Sequence, residues 1–274
     1  MAPVWNPALL RGPLFASLHP LLERIHWPAG RWPDHADYQA LLTSLAVPPV
    51  SGLGALLRVV PPLPPAPGWQ QSYEGRLGHE GLLQTRGANW HDLFNLLVWA
   101  AFPRTKAALN RRHCLAQRER AEGGIKGRSP VEDALTQFDE SGVVVVYADE
   151  TLAAMMRAFR WKALFVTHRS RVVTHMACYL FGHGLLEKAL APYVGMTGKG
   201  ILVPVAPDFF GWELAAQLSW LDGGVAQAVA CLARPADLQP VPVLGFPGMT
   251  PDNERPGYYD DVSYFRPGRR RPPG

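Results

Sequence analysis

Histidine, carboxylate and amide residues recur along this chain at spacings that put them on shared helical faces. In "GANWHDLFNLLVWAAFPRTKAALNRRH", residues 87–113, an apolar helical pattern carries Trp90, His91, Asp92, Asn95, Lys106, Asn110 and His113. His91 and Asn95 are four apart and share a face, with Asp92 rotated by about 100°. Lys106, Asn110 and His113 stand at i, i+4 and i+7 on the next helical segment. Further on, "FGHGLLEKAL" sets His183 and Glu187 four apart, with Gly182 and Gly184 leaving room beside the imidazole. Two histidines and one carboxylate suffice for Zn²⁺, Fe²⁺ or Mn²⁺, with coordination positions left open for chemistry.

Each of these residues also has an ordinary structural use. A histidine on an apolar helix face is commonly a hydrogen-bonded core residue. His183 and Glu187 would make a surface helix pair, Asn110 a local cap, and Lys106 a side chain reaching along an apolar face to solvent. Joint occurrence favours a site. Asn95 is surrounded in sequence by Leu, Phe, Val and Trp, and an unsatisfied buried polar group costs about 1–3 kcal/mol, so several such groups in one segment need common partners or a ligand.

The acids of "FDESG" and "YADE" (Asp139, Glu140, Asp149 and Glu150) flank one β-branched stretch. Paired acids there bind a cation or work as acid and base. The competing reading is turn chemistry for the first pair and helix N-capping for the second, and Asp149 is read as a cap. The resulting expectation is a divalent metal (Zn, Fe or Mn) held among His91, His113, Asp139, His183 and Glu187. His91, Asp92, Asn95, Lys106 and Asn110 would activate water and orient an anionic, small-molecule or phosphate-containing substrate. Hydrolysis of a phosphoester or amide bond is the expected chemistry, since a cation that activates water needs no other cofactor. A non-haem iron oxygenase would use the same ligand types. The reading from a different class is a non-catalytic binding module that meets a protein or RNA partner through its arms and an Arg tail. The chain has no G-x-S-x-G elbow, P-loop, G-x-G-x-x-G, H-E-x-x-H or C-x-x-C, so the common signatures of other enzyme classes are missing.

The elements that must position these groups are mostly helical. Residues 1–35 mix aromatics with Pro and Gly and read as an extended arm; "PDHADYQALLTSLA" reads as a helix beginning near Asp34, and "VVPPLPPAPG" as a polyproline-like connector. From Asn89, Leu93, Leu96, Leu97, Ala100 and Ala101 recur at helical spacing; Pro103 then ends that helix and opens the next. "SGVVVVYA" is a buried strand, with "LTQFDESG" as a candidate antiparallel partner before it. A helix is expected over "ETLAAMMRAFRWKALFVTH" and a long one over "SRVVTHMACYLFGHGLLEKALAPY". "GKGILVPVAP" reads as a second strand, and the helical stretch from "FFGWELAAQ" as broken at Gly223–Gly224. The proline-punctuated end is expected to wrap the domain without regular structure. This gives an α+β class: one predominantly helical domain with a small β element and proline-rich extended arms. Its parts are an arm and short helix over 1–80, a helical core over 81–235, and a C-terminal wrap over 236–274.

Composition sets the outer limits. Hydrophobic residues make up 47% and charged residues 18% of the 274, which places the chain with globular proteins that can bury one sizeable core. The 27 prolines and 26 glycines require many turns and connectors. No apolar run reaches the roughly 20 residues that span a bilayer, and "MAPVWNPALLRGPLF" lacks the basic start and apolar stretch of a secretory signal. Cys114, Cys178 and Cys231 form neither a disulfide framework nor a zinc spacing, so a reducing, cytoplasmic home with no membrane contact is expected. The formal net charge is +4, and four positive charges (Arg266, Arg269, Arg270 and Arg271) lie in the final "RPGRRRPPG". The rest of the chain is therefore formally neutral, and the tail is a basic patch suited to weak polyanion contact.

Four separated stretches carry a family resemblance: "YEGRLGHEGLLQTRGANWHDLFNLLVWAAFPRTKAALN", "FDESG", "FGHGLLEKALAPY" and "PVPVLGFPGMTPDNERPGYYDDVSYFRP". Together and in this order they resemble a bacterial family known only as a domain of unknown function (number 3025). The resemblance runs from about residue 20 through nearly the whole chain and implies one family-sized domain. It supplies no reaction, cofactor or catalytic residue, so function must be argued from the side chains.

Overall fold

A computed structural model describes residues 5–27 and 30–268. Arg269, Arg270 and Arg271 of the basic tail lie outside the described residues. Arg266 is exposed, with its Nε donating to the Ser263 carbonyl.

Along the chain come α1 (His19–Leu22), α2 (His35–Ser44), β1 (Arg58–Val60), α3 (Tyr73–Glu80), β2 (Leu82–Gln84), α4 (Trp90–Ala101), α5 (Pro103–Glu122) and α6 (Pro130–Ser141). Then follow β3 (Gly142–Tyr147), α7 (Glu150–Arg157), α8 (Arg169–His175), β4 (Met176–Leu180), α9 (His183–Lys188), β5 (Thr197–Pro204), α10 (Leu214–Ala230) and β6 (Gln239–Pro242). The fold is α+β with helix predominant. Among the described residues no helix is long and apolar enough to cross a membrane.

The main sheet has the order β4-β3-β5-β6, with β3 antiparallel to β4, parallel to β5, and β5 antiparallel to β6. Its centre is β3, whose Val143–Val146 run is fully buried, as an apolar strand covered on both faces should be. A second ladder pairs β1 with β2 in parallel and so crosses the boundary drawn at residue 80. The N-terminal arm is packed, not splayed. It consists of two short 3₁₀ turns and α1, and Trp5 sits 5.5 Å from Trp90 and 5.7 Å from Trp27 between ring centroids. Burying such rings is worth about 1.5–3 kcal/mol each, which fastens the arm to α4.

Local chemistry sets the helix limits that matter for the site. Asn89 caps α4 by accepting from the Asp92 N–H at 2.9 Å. Phe102 leaves the helical region because Pro103 follows it. The new N-terminus of α5 is then satisfied by Asp222 of α10, which accepts from the Arg104 and Thr105 N–H groups at 2.9 and 2.8 Å. Helix α6 starts at a Ser129/Glu132 capping box with Pro130 at its first position.

Five expectations are corrected. "LTQFDESG" is the end of α6 and not a strand: the capping box starts the helix, and Ala134, Leu135 and Phe138 bury one face completely. The long helix expected over 170–193 is three elements, α8, β4 and α9, because "MACYL" pairs with β3; such pairing overrides local propensity. Helix α10 runs unbroken through Gly223 and Gly224, since its packing on α5 outweighs about 1 kcal/mol per glycine. The C-terminal segment contributes strand β6, whose Pro240 and Pro242 are tolerated at the sheet edge. The helix expected from Glu150 also ends early, at Arg157; Phe159 takes a left-handed φ of 56°, and a π-helical turn covers Ala163–Thr167.

Candidate metal centre

The N-terminal turns of α4 and α9 and the C-terminal turn of α6 meet beside one cavity. Its position follows from the sheet. The Phe181 and Gly182 N–H groups both donate to the Gly142 carbonyl, at 3.0 and 2.8 Å, so the residue after β4 is held against the residue after α6. A Cβ on Gly182 would lie 2.3 Å from the Gly142 nitrogen, and glycine alone permits that approach. His183, the first residue of α9, is thereby delivered to Glu140, and α4 packs on α9 to bring His91.

His183 Nε2 lies 3.4 Å and His91 Nε2 3.8 Å from the same atom, Glu140 Oε1. The two imidazoles meet edge to face, with centroids 4.5 Å apart. One potential ligand atom each from His91, Glu140 and His183 lies within 4.8 Å of the other two. Cation–ligand bonds of about 2.0–2.2 Å in a tetrahedron place ligand atoms about 3.3–3.6 Å apart, so the trio is near coordination spacing. The outer nitrogens are equally specific. His91 Nδ1 contacts Glu187 Oε2 at 3.0 Å, and His183 Nδ1 faces Asp139 Oδ2 at 3.7 Å. Each ring thus turns Nε2 toward Glu140 and Nδ1 toward a different carboxylate, as metal-ligating histidines do when the outer nitrogen is oriented by an acid. His183 is 5% exposed, and at 3.7 Å its Nδ1 makes no hydrogen bond with Asp139 Oδ2. The donor set and its spacing fit a divalent cation.

Behind the trio runs a chain of polar contacts. Lys106, 3% exposed, donates from Nζ to Asp139 Oδ1 at 2.5 Å and to Asn95 Oδ1 at 2.8 Å, with the Trp99 ring centroid 5.5 Å away. Asn95 Nδ2 donates to the Tyr73 hydroxyl at 2.8 Å. Burial pushes the Asp139 carboxyl up, but the Lys106 ammonium and His183 outweigh it and hold it below the usual carboxylate range. Glu140 is also lowered, first by its hydrogen bond with His183. Asp92 is lowered too: its burial is outweighed by Arg86, which donates from its backbone N–H, Nε and Nη2 at 2.6, 2.9 and 2.8 Å.

The residues singled out from sequence fall into four groups. His91 and His183 converge directly, whereas Asp139 and Glu187 stand one step out as partners of the rings. His113 is buried and lines the cavity but is not one of the three converging ligands, and Asp92 and Asn95 also line it. Asn110 faces elsewhere: its Oδ1 accepts from the Gly52 N–H at 3.0 Å, and its Nδ2 donates to the Glu74 carbonyl and carboxylate at 3.0 and 2.7 Å. Asp149 is the N-cap of α7, as expected. Glu140 enters the sequence reading as one of a pair of acids able to bind a cation but not in the expected ligand set, and its place in the trio follows from carrying the helix begun at the Ser129/Glu132 capping box through to Ser141. Tyr73, Glu74 and Arg86 complete the walls of a cavity of about 220 Å³.

The fold and cavity define an α+β protein in which three helix ends converge on an imidazole–carboxylate cluster. A family model described as "Protein of unknown function (DUF3025)" matches residues 64–269, and the chain belongs to that family. No curated protein and no solved structure matches it.

Proposed function

We propose that this protein is a metal-dependent hydrolase, with His91, Glu140 and His183 holding a divalent cation, Zn²⁺, Fe²⁺ or Mn²⁺. The observation that carries the reading is the opposite orientation of the two ring nitrogens, inner toward Glu140 and outer toward Glu187 and Asp139. His91, Glu140 and His183 would hold the cation with three protein ligands, as catalytic rather than structural sites do, and the cation would supply an activated water. In the reaction, the water oxygen would bond to the carbonyl carbon or phosphorus, the bond to the leaving nitrogen or oxygen would break, and the leaving group would take a proton. Asp139 and Glu187 would fix the rings, and Lys106 and Asn95 would hold Asp139. All three cysteines are free, two of them buried, in keeping with a reducing, cytoplasmic setting.

Elemental analysis and calorimetric titration of protein purified without added metal test the proposal. One equivalent of a divalent ion is expected, lost in His183→Ala and in Glu140→Gln while the circular dichroism spectrum is retained. Failure of the wild type to take up any divalent ion overturns the reading. Iron retained together with oxygen consumption would instead support the non-haem oxygenase that shares these ligand types.

A further inference from the structure

We infer that the cavity selects an uncharged or cationic carboxamide-type group and rejects phosphoesters. The inference deepens, and rests on, the hydrolase reading. Five carboxylates line or back the cavity (Glu74, Asp92, Asp139, Glu140 and Glu187), against two cations, Arg86 and Lys106. Both cations are already engaged: Arg86 is bidentate on Asp92, and Lys106 is buried on Asp139 and Asn95. Among the described residues Glu74, Glu140 and Glu187 have no Lys or Arg ion-pair partner. With the histidines neutral the local charge is −3, and a divalent cation leaves about −1. Phosphate recognition calls for unpaired Arg or Lys donors aimed at the anion, and this cavity supplies none.

Among the uncharged groups that line it, Tyr73 has a role set by its partner. Lys106 can only donate, so the Asn95 oxygen must face it and the Asn95 amide N–H₂ must face Tyr73. The Tyr73 oxygen therefore accepts, and its own proton is left to point elsewhere, with Tyr73 lining the cavity. That proton suits a carbonyl oxygen, while the surplus carboxylates suit N–H groups or an ammonium. A volume of about 220 Å³ equals roughly seven water-sized groups at about 30 Å³ each, room for the reacting end of a substrate and little more.

The test is equilibrium binding to the full-length protein, with and without added Zn²⁺, using glycinamide, ethylamine and inorganic phosphate as probes. Glycinamide is expected to bind at least 10-fold more tightly than phosphate. Tyr73→Phe should weaken glycinamide at least fivefold and leave ethylamine binding unchanged, with the melting temperature a few degrees lower because the Asn95 amide loses its acceptor. Phosphate binding equal to or tighter than glycinamide overturns the inference, as does the absence of saturable glycinamide binding or its indifference to Tyr73→Phe. Metal content is read separately. If the protein takes up no Zn²⁺, the hydrolase reading falls, yet the preference for glycinamide over phosphate should persist and widen, so the two ideas fail independently.

Discussion

Glu187 Oε2 lies 3.0 Å from His91 Nδ1, joining two helices whose residues are 96 apart in sequence. A carboxylate in that position favours the tautomer with hydrogen on Nδ1 and leaves Nε2 unprotonated, facing Glu140. Glu187 is itself half-exposed, so the contact adds little to stability, within about 0.5 kcal/mol. Its value is orientation. Glu187→Gln should lower divalent-ion affinity about 10–100-fold without shifting the melting temperature, as measured by competition with a chelator; unchanged affinity would make Glu187 an ordinary surface partner.

Gly184 offers a steric route to the same centre. A Cβ there would sit 2.6 Å from Glu140 Oε2 and 3.0 Å from the Glu140 carbonyl. In Gly184→Ala the carboxylate swings away, because it is the free end of a flexible side chain. The strain, about 1–3 kcal/mol, is partly offset by about 1 kcal/mol of helix propensity. Metal affinity should therefore fall at least 10-fold while the melting temperature moves by only a few degrees, a separation that calorimetry and thermal melts resolve.

Lys106 and Asp139 predict a change in acid response. With its pKa lowered in the folded state, Asp139 contributes stability above its unfolded pKa of about 3.9, and loses it as pH falls through the folded value. Lys106→Met removes the main lowering influence and leaves burial to raise the carboxyl. The variant should be less stable by about 3–5 kcal/mol at pH 7, and the deficit should narrow as the carboxyl protonates on the way to pH 4. Urea titrations at the two pH values check this; a deficit independent of pH would contradict it.

Asp222 serves as a control remote from the chemistry. It accepts two backbone N–H groups at the start of α5, and Asp222→Ala should cost about 2–4 kcal/mol. Metal content of the folded protein should not change. Loss of metal in this variant at temperatures where it is still folded would show that the centre reports general loosening of α5.

Much of the helical frame was legible because its signals are local: the helical spacing of apolar residues from Asn89, Pro103 as joint, the valines of β3 as a buried strand. His91 and His183 stood out for the same reason, as imidazoles set in apolar surroundings. What could not be read was convergence. The distance from Glu140 to His183 depends on β4 lying beside β3, yet "MACYL" has few of the branched residues that advertise a strand. Lys106 shows the limit in another way. Its sequence context suits a side chain reaching outward, whereas Asp139, 33 residues on, draws it into the interior.

The antiparallel pairing that sets Val143 opposite Leu180 has a consequence for how the centre could be lost. Sliding one strand by a single residue displaces it by about 3.3 Å and inverts which face each side chain occupies. Such a slip would part His183 from Glu140 without altering any of the reactive groups. An inactive yet chemically intact protein is therefore a foreseeable product of misregistered folding, and substitutions in the hydrophobic ladder far from the imidazoles could silence them as effectively as deleting one.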